Sequence, residues 1–277
     1  MTRTKIAFIG GGNMASSLIG GLLDDGYAHE NIVVADPDEE RRSQVAANFG
    51  VKVTADNHRA LERADIVVLA VKPQVLETVC RSLASAIASP PPLFVSIAAG
   101  ARTDAILRWL EHDVPLIRSM PNTPAAVRAG ATALYATASV TQQDRNDAES
   151  LLRAVGVTVW VDDESLLDAV TALSGSGPAY FFLLMEAMQS AGESLGLAPD
   201  VARLLTLQTA FGAAKIALES GADPAVLRQR VTSPGGTTEK ALEVLRGSDF
   251  VTIINKAVAA ARERGAELAD RLGGKNG

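Results

Sequence analysis

From the N-terminus to about Val161, short contiguous apolar runs alternate with longer stretches in which apolar positions recur at helical spacing. Lys5-Ile6-Ala7-Phe8-Ile9, Ile32-Val33-Val34-Ala35, Ile66-Val67-Val68-Leu69-Ala70-Val71, Leu93-Phe94-Val95-Ser96-Ile97, Pro115-Leu116-Ile117-Arg118 and Val157-Thr158-Val159-Trp160-Val161 read as buried strands. Residues 14–23, 39–49, 75–87, 103–110 and 142–155 read as the helices that separate them. Strands alternating with helices of this length predict βαβ units and a mainly parallel sheet covered on both faces.

Beyond Asp163 the pattern changes. Leu and Ala recur at three- and four-residue intervals, and no β-branched run of strand length stands outside those helical patterns. Gly196-Leu197-Ala198-Pro199, Gly221-Ala222-Asp223-Pro224, Ser233-Pro234-Gly235-Gly236 and Gly247-Ser248-Asp249 punctuate this part into about five helices. The expected division is an α/β domain over 1–163 and an all-α domain over 164–277. The first long helix is apolar nearly all round, with Tyr180, Phe181, Phe182, Leu183, Leu184 and Met185 about Glu186. Such a helix is stable only when buried on all sides. The short helical part cannot enclose it alone, so a second subunit is expected to complete its core. Pro178 is expected to kink a longer helix here rather than start a new one.

Composition narrows the possible activities. The 277 residues are 47% hydrophobic and 21% charged, with a net charge of -6 and no dense Lys/Arg block, which argues against a nucleic-acid surface. Cys80 is the only cysteine, and His29, His58 and His112 lie far apart, so neither a disulfide framework nor a structural metal site is expected. The start lacks the charged, apolar and small-residue regions of a secretion signal. The uncharged stretch 169–185 is interrupted by Thr171, Ser174, Gly175, Ser176, Gly177 and Pro178, which argues against a membrane span. A cytoplasmic protein is the expectation.

Gly10-Gly11-Gly12-Asn13-Met14-Ala15 fits G-x-G-x-x-A directly after a predicted strand and at the opening of a predicted helix. The first glycine permits the tight turn, the second lets backbone approach a pyrophosphate, and the small final residue lets helix and strand pack closely. The helix N-terminus adds free N–H groups and a positive dipole end. A ligand-free glycine turn is the plain alternative; the strand, loop, helix and second strand ending at Asp36 together favour the dinucleotide reading. Asp36 stands where an acidic residue accepts hydrogen bonds from the adenosine ribose, whereas Arg41 and Arg42 can instead meet a 2′-phosphate or simply line a solvated helix face. The choice between NAD and NADP stays open at this point.

Two further regions carry candidate chemistry. Polar punctuation falls after successive strands: Ala70-Val71-Lys72-Pro73-Gln74, Ser96-Ile97-Ala98-Ala99-Gly100 and Ser119-Met120-Pro121-Asn122-Thr123-Pro124. These are the carboxyl ends at which open α/β sheets bind ligands. In the helical part, Ser233-Pro234-Gly235-Gly236-Thr237-Thr238-Glu239 breaks the helix, with Thr237 and Thr238 where an N-cap belongs. That segment is either an ordinary capped helix start or a bend whose backbone N–H groups and hydroxyls hold a small carboxylate.

On these segments, together with Leu173-Ser174-Gly175-Ser176-Gly177-Pro178-Ala179-Tyr180, the chain closely resembles the pyrroline-5-carboxylate reductases over nearly its whole length and in order. The glycine loop is generic among dinucleotide enzymes; the 174–180 and 233–238 segments are specific to this family. The resemblance implies an N-terminal Rossmann-type domain, an all-α C-terminal dimerisation domain with interlaced helices, and dimers that often assemble into a decamer. It implies NADPH-dependent reduction of 1-pyrroline-5-carboxylate to L-proline, with NADH as the alternative donor because Asp36 stands where the family often has a small polar residue. By motif, Ile9, Gly10, Gly11, Gly12, Asn13 and Met14 would lie on the pyrophosphate, Asp36 and Pro37 near the adenosine ribose, and Asn57 beside the adenine. Ala70, Val71, Lys72, Pro73 and Ala98 would lie along the cofactor. Glu164, Ser233, Gly235, Gly236, Thr237 and Thr238 would meet the substrate, with Thr238 hydrogen-bonding the ring nitrogen.

The competing enzyme class is a β-hydroxyacid dehydrogenase, which resembles this chain in plan but carries a helix-borne catalytic lysine; after Gly177 no lysine occurs before Lys215. A non-catalytic nucleotide sensor is the competitor from outside enzymology, and the intact 233–238 segment speaks against it.

Overall fold

The computed structural model describes residues 4–274. By compactness it divides into two units: one formed by the chain up to Ser176 together with the segment from Ala261 onward, the other by Gly177–Ala260.

The first unit is built on an eight-stranded sheet. Its elements are β1 (Ile6–Ile9), α1 (Asn13–Asp24), β2 (Ile32–Ala35), α2 (Glu39–Phe49), β3 (Lys52–Thr54), α3 (Asn57–Leu61), β4 (Ile66–Leu69), α4 (Pro73–Leu83), β5 (Leu93–Ser96), α5 (Thr103–Leu110), β6 (Leu116–Met120), β7 (Gly130–Ala136), α6 (Gln142–Arg153), β8 (Gly156–Trp160) and α7 (Leu166–Val170). The strand order β3-β2-β1-β4-β5-β6-β7-β8 begins with the doubly wound dinucleotide-binding arrangement and reverses direction of growth between β1 and β4. Side-chain alternation explains why the strands are apolar throughout. In β1, Ile6 and Phe8 join one core with Leu18, Ile19 and Leu151, while Ala7 and Ile9 join the other with Leu76, Ile106 and Trp109. A strand buried on both faces has no polar side to display.

Local chemistry sets the helix ends. Asp38 caps α2 by accepting the N–H groups of Glu40 and Arg41, and Gly50 ends that helix in a left-handed conformation. Thr141 and Asp144 form a reciprocal capping box at α6. The hydrophobic pattern predicts neither β3 nor β7, and β7 makes the sheet mixed, because it runs antiparallel to β6. Its sequence, Gly130-Ala131-Thr132-Ala133-Leu134-Tyr135-Ala136, is too poor in β-branched residues to register as a strand.

The second unit is entirely helical among its described residues: α8 (Gly177–Ser194), α9 (Pro199–Ser220), α10 (Pro224–Arg230), α11 (Thr237–Gly247) and the first part of α12 (Phe250–Leu272), whose later part belongs to the first unit. The division at Ser176 lies beyond the expected boundary at 163 because α7 packs on β6 and β7, with Leu167 and Ala172 fully buried. A widened π-type turn over Thr171–Gly175, closed by Ser176 N–H to Thr171 O at 2.8 Å, precedes α8. Pro178 therefore sits in the first turn of α8, where its missing N–H leaves no helical bond unmade.

The helical unit buries almost none of itself. Of its residues only Gly177, Ala202 and Thr206 are buried, whereas Phe181, Phe182 and Phe211 are each more than half exposed. By length and composition α9 is the one helix among the described residues that could cross a membrane, and it carries Asp200, Arg203 and Lys215.

Candidate active site

The glycine loop lies at the sheet's reversal point. β1 ends at Ile9, and Gly10 follows with φ of 103°, its N–H bonded to Ala35 O at 2.7 Å. A Cβ at Gly10 would stand 2.7 Å from Ala70 O, so the loop after β4 crosses directly over it and only glycine fits. Gly12 precedes α1 as its N-cap residue and supplies no side-chain cap, so the first-turn N–H groups of Asn13, Met14 and Ala15 have no side-chain partner. A tight turn, close backbone approach and an uncapped helix start together fit a dinucleotide pyrophosphate.

The other expected cofactor residues gather along the same sheet edge. Asp36 and Pro37 follow β2, and Asn57 opens α3 just past β3. Val71 and exposed Lys72 lead into α4, where Pro73 is the first helical residue, and buried Ala98 follows β5. A cavity of about 310 Å³ opens beside them, lined by Pro73, Gln74, Ala99, Gly100, Asp168 and Thr171 among others. Asp36 is turned toward the loop: its Oδ2 accepts the Gly11 N–H at 2.8 Å and its Oδ1 the Asp38 N–H at 3.0 Å.

Glu164 is held by partners that the sequence did not bring to notice. Its Oε1 accepts the Thr103 N–H at 2.8 Å and an Arg118 N–H at 2.9 Å, and its Oε2 accepts the Thr103 hydroxyl at 2.7 Å. Arg118 is only 3% exposed and also approaches Asp168 at 3.9 Å. Asp168 in turn faces Arg102 at 3.9 Å, and Arg102 reaches Asp270 at 3.1 Å. The one available signal was a charged residue inside the otherwise apolar 115–118 run.

In the helical unit the 233–238 segment forms a bend ahead of α11. Gly235 adopts φ of 70°, and the Gly236 N–H bonds Ser233 O at 3.0 Å. The N-cap is Gly236, without any side-chain cap, so Thr237 and Thr238 are the first two helical residues instead of the cap expected from the sequence. The first helical bond at this end is Lys240 N–H to Gly236 O, which leaves the N–H groups of Thr237, Thr238 and Glu239 ahead of the ladder. The Gly235 N–H already donates to a carboxylate, that of Glu239, at 2.7 Å.

Comparison with known proteins decides the family. The chain is 51% identical to the pyrroline-5-carboxylate reductase of Pseudomonas aeruginosa, over 99% of this chain and 100% of that one. The chain belongs to the pyrroline-5-carboxylate reductase family. The Haemophilus influenzae reductase is 44% identical over 97% of this chain and 98% of its own. The model for pyrroline-5-carboxylate reductase dimerisation matches residues 164–268, and one for NADP oxidoreductase, coenzyme F420-dependent, matches residues 5–100. Among solved structures, a pyrroline-5-carboxylate reductase from Coxiella burnetii superposes with a TM-score of 0.93 at 45% identity, covering 96% of this chain and 98% of that one. The Plasmodium falciparum reductase, solved with NADP bound, gives 0.86 at 27% identity over 97% and 99% of the two chains. The family's fold, a Rossmann-type sheet domain followed by helices, is the fold described above.

Proposed function

We infer that the protein reduces 1-pyrroline-5-carboxylate to L-proline, the final step of proline biosynthesis, with NADPH as the donor and NADH as the alternative. The observation that carries this reading is full-length similarity to the family, at 51% identity, in a chain that retains both the uncapped glycine loop and the uncapped bend before α11.

The bound dinucleotide supplies the hydride. The chain's own part is binding and orientation, because a protonated cyclic imine is already electrophilic. Gly10, Gly11, Gly12, Asn13 and Met14 hold the pyrophosphate by backbone donors, and Asp36, Pro37 and Asn57 face the adenosine end. Ala70, Val71, Lys72, Pro73 and Ala98 line the course of the cofactor. The first-turn N–H groups of Thr237 and Thr238, with the Ser233 hydroxyl, hold the substrate carboxylate without a basic side chain, while Gly235 and Gly236, whose own N–H groups are engaged by Glu239 and Ser233, shape the bend that presents them. The Thr238 hydroxyl hydrogen-bonds the ring nitrogen and keeps the imine carbon in line for hydride. Glu164, which the resemblance places at the substrate, also fixes the start of α5 against β6, and its Oε2, which accepts a single bond, keeps acceptor capacity for the substrate.

The working form is a homodimer with interlaced helices, open to assembly into a decamer, in the cytoplasm. α9 is then a subunit-contact helix, not a membrane span. The assay is NAD(P)H oxidation in the presence of pyrroline-5-carboxylate, with 3-hydroxyacids as the contrast. Turnover of the imine alone is expected; turnover of the hydroxyacids alone, or of neither, overturns the reading.

A further inference from the structure

The loop after β2 separates two arginines that the sequence offers equally to a phosphate. Arg42 is committed to the backbone: its Nη1 donates to Asp36 O and Pro37 O, each at 2.8 Å. Arg41 is not bound in that way. Its side chain lies across the glycine loop, with Cγ 3.5 Å from the position of a Cβ on Gly11 and Nη1 3.6 Å from that on Gly12. Its Nε is 4.0 Å from Asp36 Oδ2, and its side chain is 45% exposed.

An acidic residue at the end of β2 selects the ribose 2′-hydroxyl and repels a 2′-phosphate. Here both Asp36 oxygens accept backbone N–H groups, and the one nearer the loop has a guanidinium beside it. A planar guanidinium at this position offers paired donors to a phosphate and offsets the carboxylate charge. We propose that Arg41 is the specificity-determining residue that admits a 2′-phosphorylated dinucleotide beside Asp36, and that Arg42 only holds the loop. The proposal rests on reading the glycine loop as an NAD(P)H site.

The test is equilibrium binding of NADPH and of NADH to the full-length oligomer, read by nicotinamide fluorescence. Arg41→Ala is expected to weaken NADPH by about ten- to a hundredfold, as for loss of a charge-assisted hydrogen bond, and NADH by less than about threefold. Arg41→Lys, which keeps the charge but not the fork, recovers part of the NADPH affinity. Arg42→Ala changes both affinities by the same factor. Equal loss of NADH and NADPH in Arg41→Ala overturns the proposal, because it puts the guanidinium on the shared pyrophosphate. So does a selective NADPH loss in Arg42→Ala. A wild-type protein that binds neither dinucleotide overturns the reading of the loop itself, a result distinct from either of these.

Discussion

Thr238 concentrates the catalytic argument in one hydroxyl. Thr238→Ala is expected to lower kcat/KM by about ten- to a hundredfold, the effect of losing a transition-state hydrogen bond of roughly 1.5 to 3 kcal/mol, and Thr238→Ser to restore most of it. Steady-state kinetics with pyrroline-5-carboxylate provide the check, and an unchanged kcat/KM removes Thr238 from the mechanism. Cys80 is a residue of the opposite kind, inert because it is buried on α4 beside Leu76 and Leu83. Burial pushes its thiol from 9.0 up to about 12. Burial, with Asp65 and Asp147 nearby, likewise pushes the Tyr27 hydroxyl from 10.0 up to about 12. Both groups stay protonated in the folded chain while the unfolded chain ionises. Their contribution to stability is therefore intact below about pH 9 and is lost as pH climbs toward 12. Urea melts at pH 8 and above pH 10 are expected to show that fall, and a thiol reagent at neutral pH is expected to label Cys80 only after unfolding.

The strand-loop-helix start and the buried ion network make opposite demands at the level of elements. Gly10→Ala places a Cβ against Ala70 O in a left-handed backbone, at a strain of about 1 to 3 kcal/mol. The loop after β4 must then retreat, and weaker dinucleotide binding by calorimetry is the expected result. Arg118→Ala removes the cation that β6 presents to Glu164 and Asp168. Leaving buried Asp168 and part-buried Glu164 without it is expected to cost roughly 3 kcal/mol in urea unfolding, and Arg118→Met combined with Glu164→Gln to cost less. Elements of this unit differed in how far the sequence announced them. α2 and α5 carried their apolar spacing and their boundaries in the local chain, and β1, β2, β4 and β5 their doubly buried faces. β7 did not, because a strand made of small residues is stabilised by its neighbours on both sides and not by its own propensity. The partners of Glu164 escaped for a related reason: Thr103 and Arg118 lie 61 and 46 residues away in sequence, a separation that no local pattern encodes. The bend before α11 was legible as a helix break, but the assignment of its cap to Gly236 depends on backbone angles.

For the whole molecule, the two units differ in how completely they satisfy themselves. The sheet unit carries both of the described hydrophobic cores, whereas the helical unit leaves Leu204, Phe211, Ile216, Leu218 and Ile253 in water. So many exposed large apolar side chains, in the segment matched by the dimerisation model, fit a subunit contact. Light scattering is expected to find a dimer or larger species, and Phe182→Asp with Phe211→Asp to shift it toward a monomer of lower helicity. The single chain's reluctance to bury its helices has a thermodynamic corollary. Where association and folding share the same hydrophobic surface, the melting temperature rises with protein concentration and refolding of the helical half becomes second order. Dilution alone should then unfold that half before the sheet-bearing half.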